Sequence, residues 1–476
     1  MKLKLSFFGY ISIIVLLIIV LLVRSFDIYY AVKNREVFPE LVLAFLSSLL
    51  VWVPFCYNWY KKGKPILSDW LKFATFLYII FNYYQIADKL GMKDVGIYGE
   101  VYVNQSFVFQ ALWIIFLSLV LINVLDIISL LVSKNKLPKL NVHEISRKYK
   151  IKNLKIFYLA SYGIMILQFI LLFSGVIGYG ADEENNVSSY SFLLQITNQT
   201  LPLFLTIYFF LKFVTEYKSR QFNLYFYAYI ILYFGFGLIA GMKGILIFGI
   251  VIFLIPYLEA GKSLPKKWIA PVLIFLLFLY PFNTNYRNTL INIPGISKKD
   301  AFVVAVAKTI ELDFNNNVSS GSKSYSERVA LLPYLIFSIE KEKEWTYYKN
   351  MERFIYLPVS IVPRAILPNK PISDIGARLQ AMITSSHNSI TPTLYGWAYL
   401  EGGTIFVFCH LLILLIIINI VQYTKYKNTI FYFLFYVNFL ISIVTIESDT
   451  YFFVAGLIQN LFVFYIFSRF FFKKVE

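Results

Sequence analysis

Residues 106–132 read SFVFQALWIIFLSLVLINVLDIISLLV, with Asp126 the one charged side chain among them. An uninterrupted apolar run of about 18 residues or more, coiled as a helix, is long enough to cross the hydrocarbon layer of a bilayer. Eleven further apolar runs lie on either side of it, near 5–23, 39–59, 69–88, 154–177, 191–213, 223–240, 244–258, 268–282, 394–422, 429–446 and 450–472. The eighth and ninth of the twelve are short. Runs seven and eight are parted only by Gly241-Met242-Lys243-Gly244, which predicts a tight helical hairpin. The fold class read from this pattern is an all-α polytopic membrane protein of about 12 transmembrane helices.

The bulk composition agrees. Of 476 residues 58% are hydrophobic, and mean hydropathy is +0.65. Many Tyr and Trp residues stand near the ends of the apolar runs, where an amphipathic ring suits the headgroup zone. Lys2 and Lys4 precede the first run in the manner of a signal peptide. That run is long and lacks a small-residue cleavage site, so it reads as a retained helix. The two cysteines, Cys56 and Cys409, both lie inside apolar runs, and no disulfide framework or Cys-rich metal site is indicated. No Walker motif, dinucleotide fingerprint or HExxH is present, so no cofactor is expected.

A formal net charge of +17 would point a soluble chain towards nucleic acid. In a polytopic chain it first reports orientation. Residues 133–155 carry Lys134, Lys136, Lys139, Arg147, Lys148, Lys150, Lys152 and Lys155, a composition that belongs in the cytoplasm. Propagating from there puts both termini inside. Of the 44 Lys and Arg, 25 then fall inside, six in short outer loops and 13 in one long outer loop, 283–391. The acidic stretch at Asp182, Glu183 and Glu184 falls outside. The chain divides into helices one to nine (1–282), the long loop (283–391) and helices ten to twelve (392–476).

A structureless loop of that length is unusual. Val329–Ile339 and Phe354–Val362 are apolar but too short to span, and read as helices that lie in the interface or re-enter it. Prolines 333, 358, 363, 368, 371 and 392 break the loop into short pieces. Arg353, Arg364, Lys370 and Arg378 lie among those prolines and apolar residues, and Arg287 lies just after the ninth run. Basic residues outside the cytoplasm fit a phosphate-bearing ligand, because guanidinium forks match phosphate oxygens. Lys343 and its neighbours Lys341 and Lys349 read instead as solvated decoration beside Glu340, Glu342, Glu344 and Glu352. Lys243, in its glycine-flanked turn between two apolar helices, is a further candidate cation.

Three segments carry a family resemblance. SSHNSITPTLYGWAYLEGG (385–403) resembles the entry to a late helix in Wzy-type polysaccharide repeat-unit polymerases, of which the enterobacterial common antigen polymerase is one pattern. FIYLPVSIVPRAILPNKP (354–371) is similar to the family's aromatic and proline stretch. AGMKG (240–244) is similar to its Gly-rich turn, with Lys243 where the family usually has Arg. The resemblance covers the C-terminal half of the chain, and the O-antigen ligases share its His-Asn and Gly-rich helix start.

The resemblance implies a GT-C-like glycosyltransferase in the bacterial cytoplasmic membrane. It would polymerise oligosaccharide repeat units carried on undecaprenyl diphosphate, on the outer face and without a metal. Donor and acceptor lipid-linked oligosaccharides, membrane lipids and a chain-length regulator are the implied partners. On that reading Lys243, Arg287, Arg353, Arg364, Lys370 and Arg378 would hold the diphosphate while charge develops on it. His387, with an ordinary pKa near neutrality, would take the acceptor proton, with Glu401 as the second candidate base. Tyr395, Trp397, Glu447 and Asp449 would meet the sugars, and Glu447 and Asp449 are equally placed to orient a cation. His143 and His410 read as structural. Two readings compete: an O-antigen ligase-type glycan transferase, and a lipid-linked oligosaccharide flippase or other secondary transporter. A third is a membrane subunit without chemistry of its own.

Overall fold

The computed structural model describes residues 6–475 except 33–35, 89–95, 98–100, 103, 133–139, 179–190, 263–265, 294–295, 312–330, 363–365, 368–370, 372–374, 383–391 and 445–448. Among them every predicted apolar run forms helix. The first two helices are α1 (Phe7–Ala31) and α2 (Phe38–Lys62). The third run forms α3 (Leu67–Thr75), a π-helical stretch (Phe76–Ile80) and α4 (Phe81–Ile86). A short antiparallel pair, β1 (Gly96–Ile97) and β2 (Val101–Tyr102), precedes α5 (Val108–Val132). Then follow α6 (Val142–Lys148), β3 (Tyr149–Ile151) and α7 (Leu154–Phe173).

The second half contains α8 (Ser191–Phe209), α9 (Arg220–Ile239), α10 (Lys243–Glu259) and α11 (Lys266–Asn292). Next come α12 (Lys298–Glu311), α13 (Leu332–Lys341) and a 3-10 segment (Glu352–Val359). The chain ends with α14 (Ile375–Ala381), α15 (Thr393–Tyr423), α16 (Ile430–Val444), α17 (Thr450–Phe471) and β4 (Phe472–Lys474). Seven helices among the described residues are long and apolar enough to cross a membrane, and three shorter ones are apolar. The described residues are those of a predominantly helical, multi-pass membrane protein with only two short strand pairs.

Local chemistry sets the helix ends. The Asn153 side chain accepts from the backbone N–H of Lys155 and Ile156 and caps α7. Ser219 caps α9 through Phe222 N–H. Gly63 ends α2 at φ 77°, a conformation that costs glycine nothing. Apolar side chains left outside the core, such as Leu16, Leu159, Ile231 and Ile405, are those a lipid-facing surface requires.

Two differences from the sequence reading lie in the region 283–391. Its first residues are not loop: α11 runs on to Asn292, and α12 packs against it. Asp300 and Lys308 sit at opposite ends of α12, where they complement its dipole. Residues 332–339 of the stretch Val329–Ile339, expected to lie in the interface or re-enter it, belong to α13 and are buried against α15 rather than lying on the surface. Leu331 N–H donates to the Tyr78 carbonyl (3.1 Å) in the π-helical stretch. The expected hairpin between runs seven and eight is present, with Gly241 at φ 67°.

Candidate functional site

Helix α15 is broken near its start. Gly402 (φ 169°, ψ 35°) is extended, and Gly403 (φ 74°, ψ −158°) occupies a region essentially reserved for glycine. The break deprives the Glu401 carbonyl of its partner one turn on, and the N–H of Asn350 fills the place at 3.1 Å. That contact draws the segment before the 3-10 helix onto α15. Tyr348, Asn350 and Met351 all adopt positive φ to make the approach, a conformation that costs about 1–3 kcal/mol at a residue ill suited to it.

The approach delivers Arg353 into the bundle. Its guanidinium donates Nη1 to Asp449 Oδ2 at 2.9 Å and Nη2 to Glu401 Oε1. Asp449 Oδ1 meanwhile accepts from Phe452 N–H and caps α17. The other Glu401 oxygen, Oε2, lies 3.1 Å from His410 Nε2. A carboxylate only accepts, so Nε2 is the protonated nitrogen in this contact. His410 packs edge-on against Phe354 and its Nδ1 has no hydrogen-bond partner among the described residues. Tyr348, Tyr451 and Phe452 wall the guanidinium at 5.5, 5.6 and 5.9 Å. Arg353 is 1% exposed and Glu401 2%. Arg353, Glu401, Asp449 and His410 thus come from three separate segments and close into one buried ionic centre.

Arg353 places its Nη atoms on two carboxylates inside an aromatic cage and so clasps the loop to α15 and α17. Both oxygens of Glu401 are engaged, Oε1 by Arg353 and Oε2 by His410. Asp449 accepts from Arg353 with one oxygen and from Phe452 N–H with the other. Tyr395 is fully packed in the core with its hydroxyl 2.7 Å from that of Thr75, and Trp397 is buried beside Trp345 and Leu400.

The remaining cations are distributed. Arg287 donates Nε and Nη2 to the Gly241 carbonyl at 3.3 and 2.9 Å, which brings α11 to the turn that carries Lys243. Lys298 of α12 approaches the same region, where Nζ donates to the carbonyls of Leu172 (2.9 Å) and Ile177 (2.8 Å). The Arg378 guanidinium lies 4.3 Å from the ring centre of Tyr347. His387, Arg364, Lys370, Glu447 and the Lys243 side chain lie outside the described residues.

Sequence reasoning missed a second ionic centre. Lys72 Nζ lies 2.7 Å from Asp69 Oδ1, 3.0 Å from Asp126 Oδ2 and 3.2 Å from Asn123 Oδ1. Ser68 donates to Asp126, and Asn58 to Asp69. Charges inside apolar runs signal such a centre, but Lys72 and Asp126 belong to runs three and four, far in sequence from the basic loop 283–391. His410 was legible only as one histidine inside a helix. Among the described residues no group of three or more His, Cys, Asp or Glu side chains is placed to hold a metal ion.

The architecture defines a polytopic helical membrane protein with a buried ionic clasp between a long connecting segment and two late helices. No protein-family model matches the chain, and no curated protein and no solved structure is significantly similar to it.

Proposed function

We propose that the chain is a glycosyltransferase that joins oligosaccharide repeat units carried on undecaprenyl diphosphate, working on the outer face of a bacterial cytoplasmic membrane. The reading takes the chain as twelve spans of GT-C-like character, both termini cytoplasmic, with residues 283–391 outside. The observation that carries it is the convergence of Arg353, Glu401 and Asp449, each singled out by sequence, from segments 48 and 96 residues apart. A site assembled by a long outer segment against late helices is what transfer between two lipid-linked substrates at the headgroup level requires.

In the reaction the acceptor hydroxyl oxygen bonds to the anomeric carbon of the donor. The bond from that carbon to the diphosphate oxygen breaks, and the carrier diphosphate departs with the electron pair. The hydroxyl proton passes to His387. Arg364, Lys370, Arg378, Arg287 and Lys243 offset the charge that develops on the leaving group. The Arg353 clasp fixes the 3-10 segment Glu352–Val359 against α15 and α17 and so acts as a positioning device.

The test is reconstitution with an undecaprenyl-diphosphate-linked repeat unit. The wild type should yield a ladder of longer glycans. His387→Ala and Arg364→Ala should reach the membrane in normal amount and yield single units. Wild-type chain lengths from both variants would overturn the site. The buried Lys72–Asp69–Asp126 centre and the broken helix α15 favour a second reading, a transporter of the same lipid-linked substrate. Substrate carried across the bilayer chemically unchanged would support that reading and sink the first.

A further inference from the structure

Strand β4, at the end of the chain, pairs antiparallel with β3 in its middle, in the register Tyr149↔Lys474, Lys150↔Lys473 and Ile151↔Phe472. The ladder continues at both ends, through Lys152 N–H to the Phe471 carbonyl and Val475 N–H to the Lys148 carbonyl, each at 2.8 Å. Side chains alternate between the faces of such a ribbon. Phe472 is buried and packs on the bundle with Tyr149 and Ile151. The opposite face therefore presents Lys150 and Lys473 directly across from each other, and both are exposed. Like charges in that relation destabilise a strand pair. Neither lysine has an acidic partner among the described residues.

More cations surround the pair. Arg147, Lys148, Lys152, Lys155 and Lys474 are all exposed. Among the described residues only Lys148 of these is matched by a carboxylate, that of Glu144. Lys152 Nζ donates to the Arg469 carbonyl. The ribbon stands where α7 begins and α17 ends. Within two turns along those helices Ile156, Leu159, Ile466 and Phe470 are 45%, 77%, 45% and 57% exposed. Those side chains face hydrocarbon in a membrane-spanning helix, so the lysines stand at the adjoining headgroup level.

We propose that this lysine-bearing ribbon is a docking site for the headgroups of anionic glycerophospholipids. A phosphodiester seated between Lys150 and Lys473 offsets a repulsion that the ribbon otherwise carries uncompensated. Position selects a lipid over a soluble anion, because the site opens beside lipid-facing side chains. The inference is independent of the proposed glycosyl transfer.

The experiment compares the full-length wild type with Lys150→Gln/Lys473→Gln in neutral detergent, titrated with phosphatidylglycerol, phosphatidylcholine or inorganic phosphate. Retained lipid is counted by native mass spectrometry and thermal unfolding is followed. Phosphatidylglycerol should raise the wild-type Tm and stay bound. Each lysine lost should weaken that binding about fivefold, an effect that added salt also produces. In phosphatidylcholine the double variant should melt no lower than the wild type, since a like-charge pair has been removed. Lys64→Gln, distant in sequence from the ribbon, should respond to phosphatidylglycerol as the wild type does. An equal phosphatidylglycerol response from wild type and double variant would overturn the proposal. So would an equal shift with inorganic phosphate, or a double variant that melts lower in phosphatidylcholine.

Discussion

Arg353 is the residue on which the candidate site turns, and its removal is predicted to cost more than its contacts are worth. Taking one partner from a buried ion pair leaves uncompensated charge, typically at about 3–5 kcal/mol. Arg353→Ala strands Glu401 and Asp449 together, and thermal unfolding in detergent should report a large drop in Tm. Adding Glu401→Gln and Asp449→Asn to that variant should recover most of the loss. A triple variant no better than Arg353→Ala would mean that packing, not charge, sets the cost.

A second residue makes stability depend on pH. Lys427 lies in the turn between α15 and α16, where burial first, and the nearby Lys64 second, bring its ammonium down to about 8 against the opposing pull of Glu259. The unfolded chain holds the proton up to about pH 10.4. Folding therefore bears a cost below pH 8 that is relieved as pH rises from about 8 towards 10. The Tm difference between wild type and Lys427→Gln should move in the wild type's favour over that window, and a flat difference would contradict the assignment.

The same scale shows what sequence could and could not give. Glu401 stood out because a carboxylate two turns into an apolar helix is costly, and Arg353 because it sat among prolines. Their pairing was invisible, since it depends on a helix break and on three residues with positive φ. The burial of Tyr395 and Trp397 was hidden for a related reason. Aromatic residues at a helix start look alike in sequence whether they meet headgroups, sugars or a neighbouring helix such as α13.

Among elements, α15 holds the strongest constraint. Gly403 occupies a conformation that an L-residue adopts at a cost of about 1–3 kcal/mol. At Gly402 a Cβ would come within 2.4 Å of the Phe406 ring, a flexible side chain that can turn aside. Gly403→Ala should therefore lower the Tm more than Gly402→Ala. It should also weaken the Arg353 clasp, because a straightened helix recovers the Glu401 carbonyl from Asn350. Trypsin accessibility at Lys349 reads this directly, with faster cleavage expected in Gly403→Ala. Unchanged cleavage would separate the break from the clasp. The apolar runs were legible because their composition alone demands a bilayer. Helix α12 was not, since KKDAFVVAVAKTIE is amphipathic and carries its charges at the ends. The extension of α11 to Asn292 was hidden by the polar stretch NTNYRNTLIN, whose Tyr286 donates to the Ile239 carbonyl and is wholly buried.

At the scale of the whole molecule, one helix joins the Arg353 clasp to the lysine-bearing ribbon. Asp449 caps the start of α17 and holds Arg353, while β4 follows directly from its end and pairs with β3. Twenty-two helical residues, at a rise of about 1.5 Å each, span about 33 Å, close to the thickness of a bilayer's hydrocarbon core. The Arg353 clasp and the lysine-bearing ribbon must then lie on opposite sides of the membrane. If the basic composition of 133–155 marks the cytoplasmic side, as the proposed arrangement has it, the ribbon would face the cytoplasm and the clasp the exterior. Replacing Cys56 and Cys409 by serine gives a background in which single cysteines can be labelled. Ile355, beside the clasp, is 76% exposed, and Lys150 is exposed on the ribbon. Ile355→Cys should react with an impermeant maleimide in intact cells, whereas Lys150→Cys should react only after the membrane is opened. The reverse pattern would place the clasp in the cytoplasm, away from any lipid-linked sugar on the outer face. Labelling of both from one side would mean that α17 does not cross, and the twelve-span arrangement would fail with it.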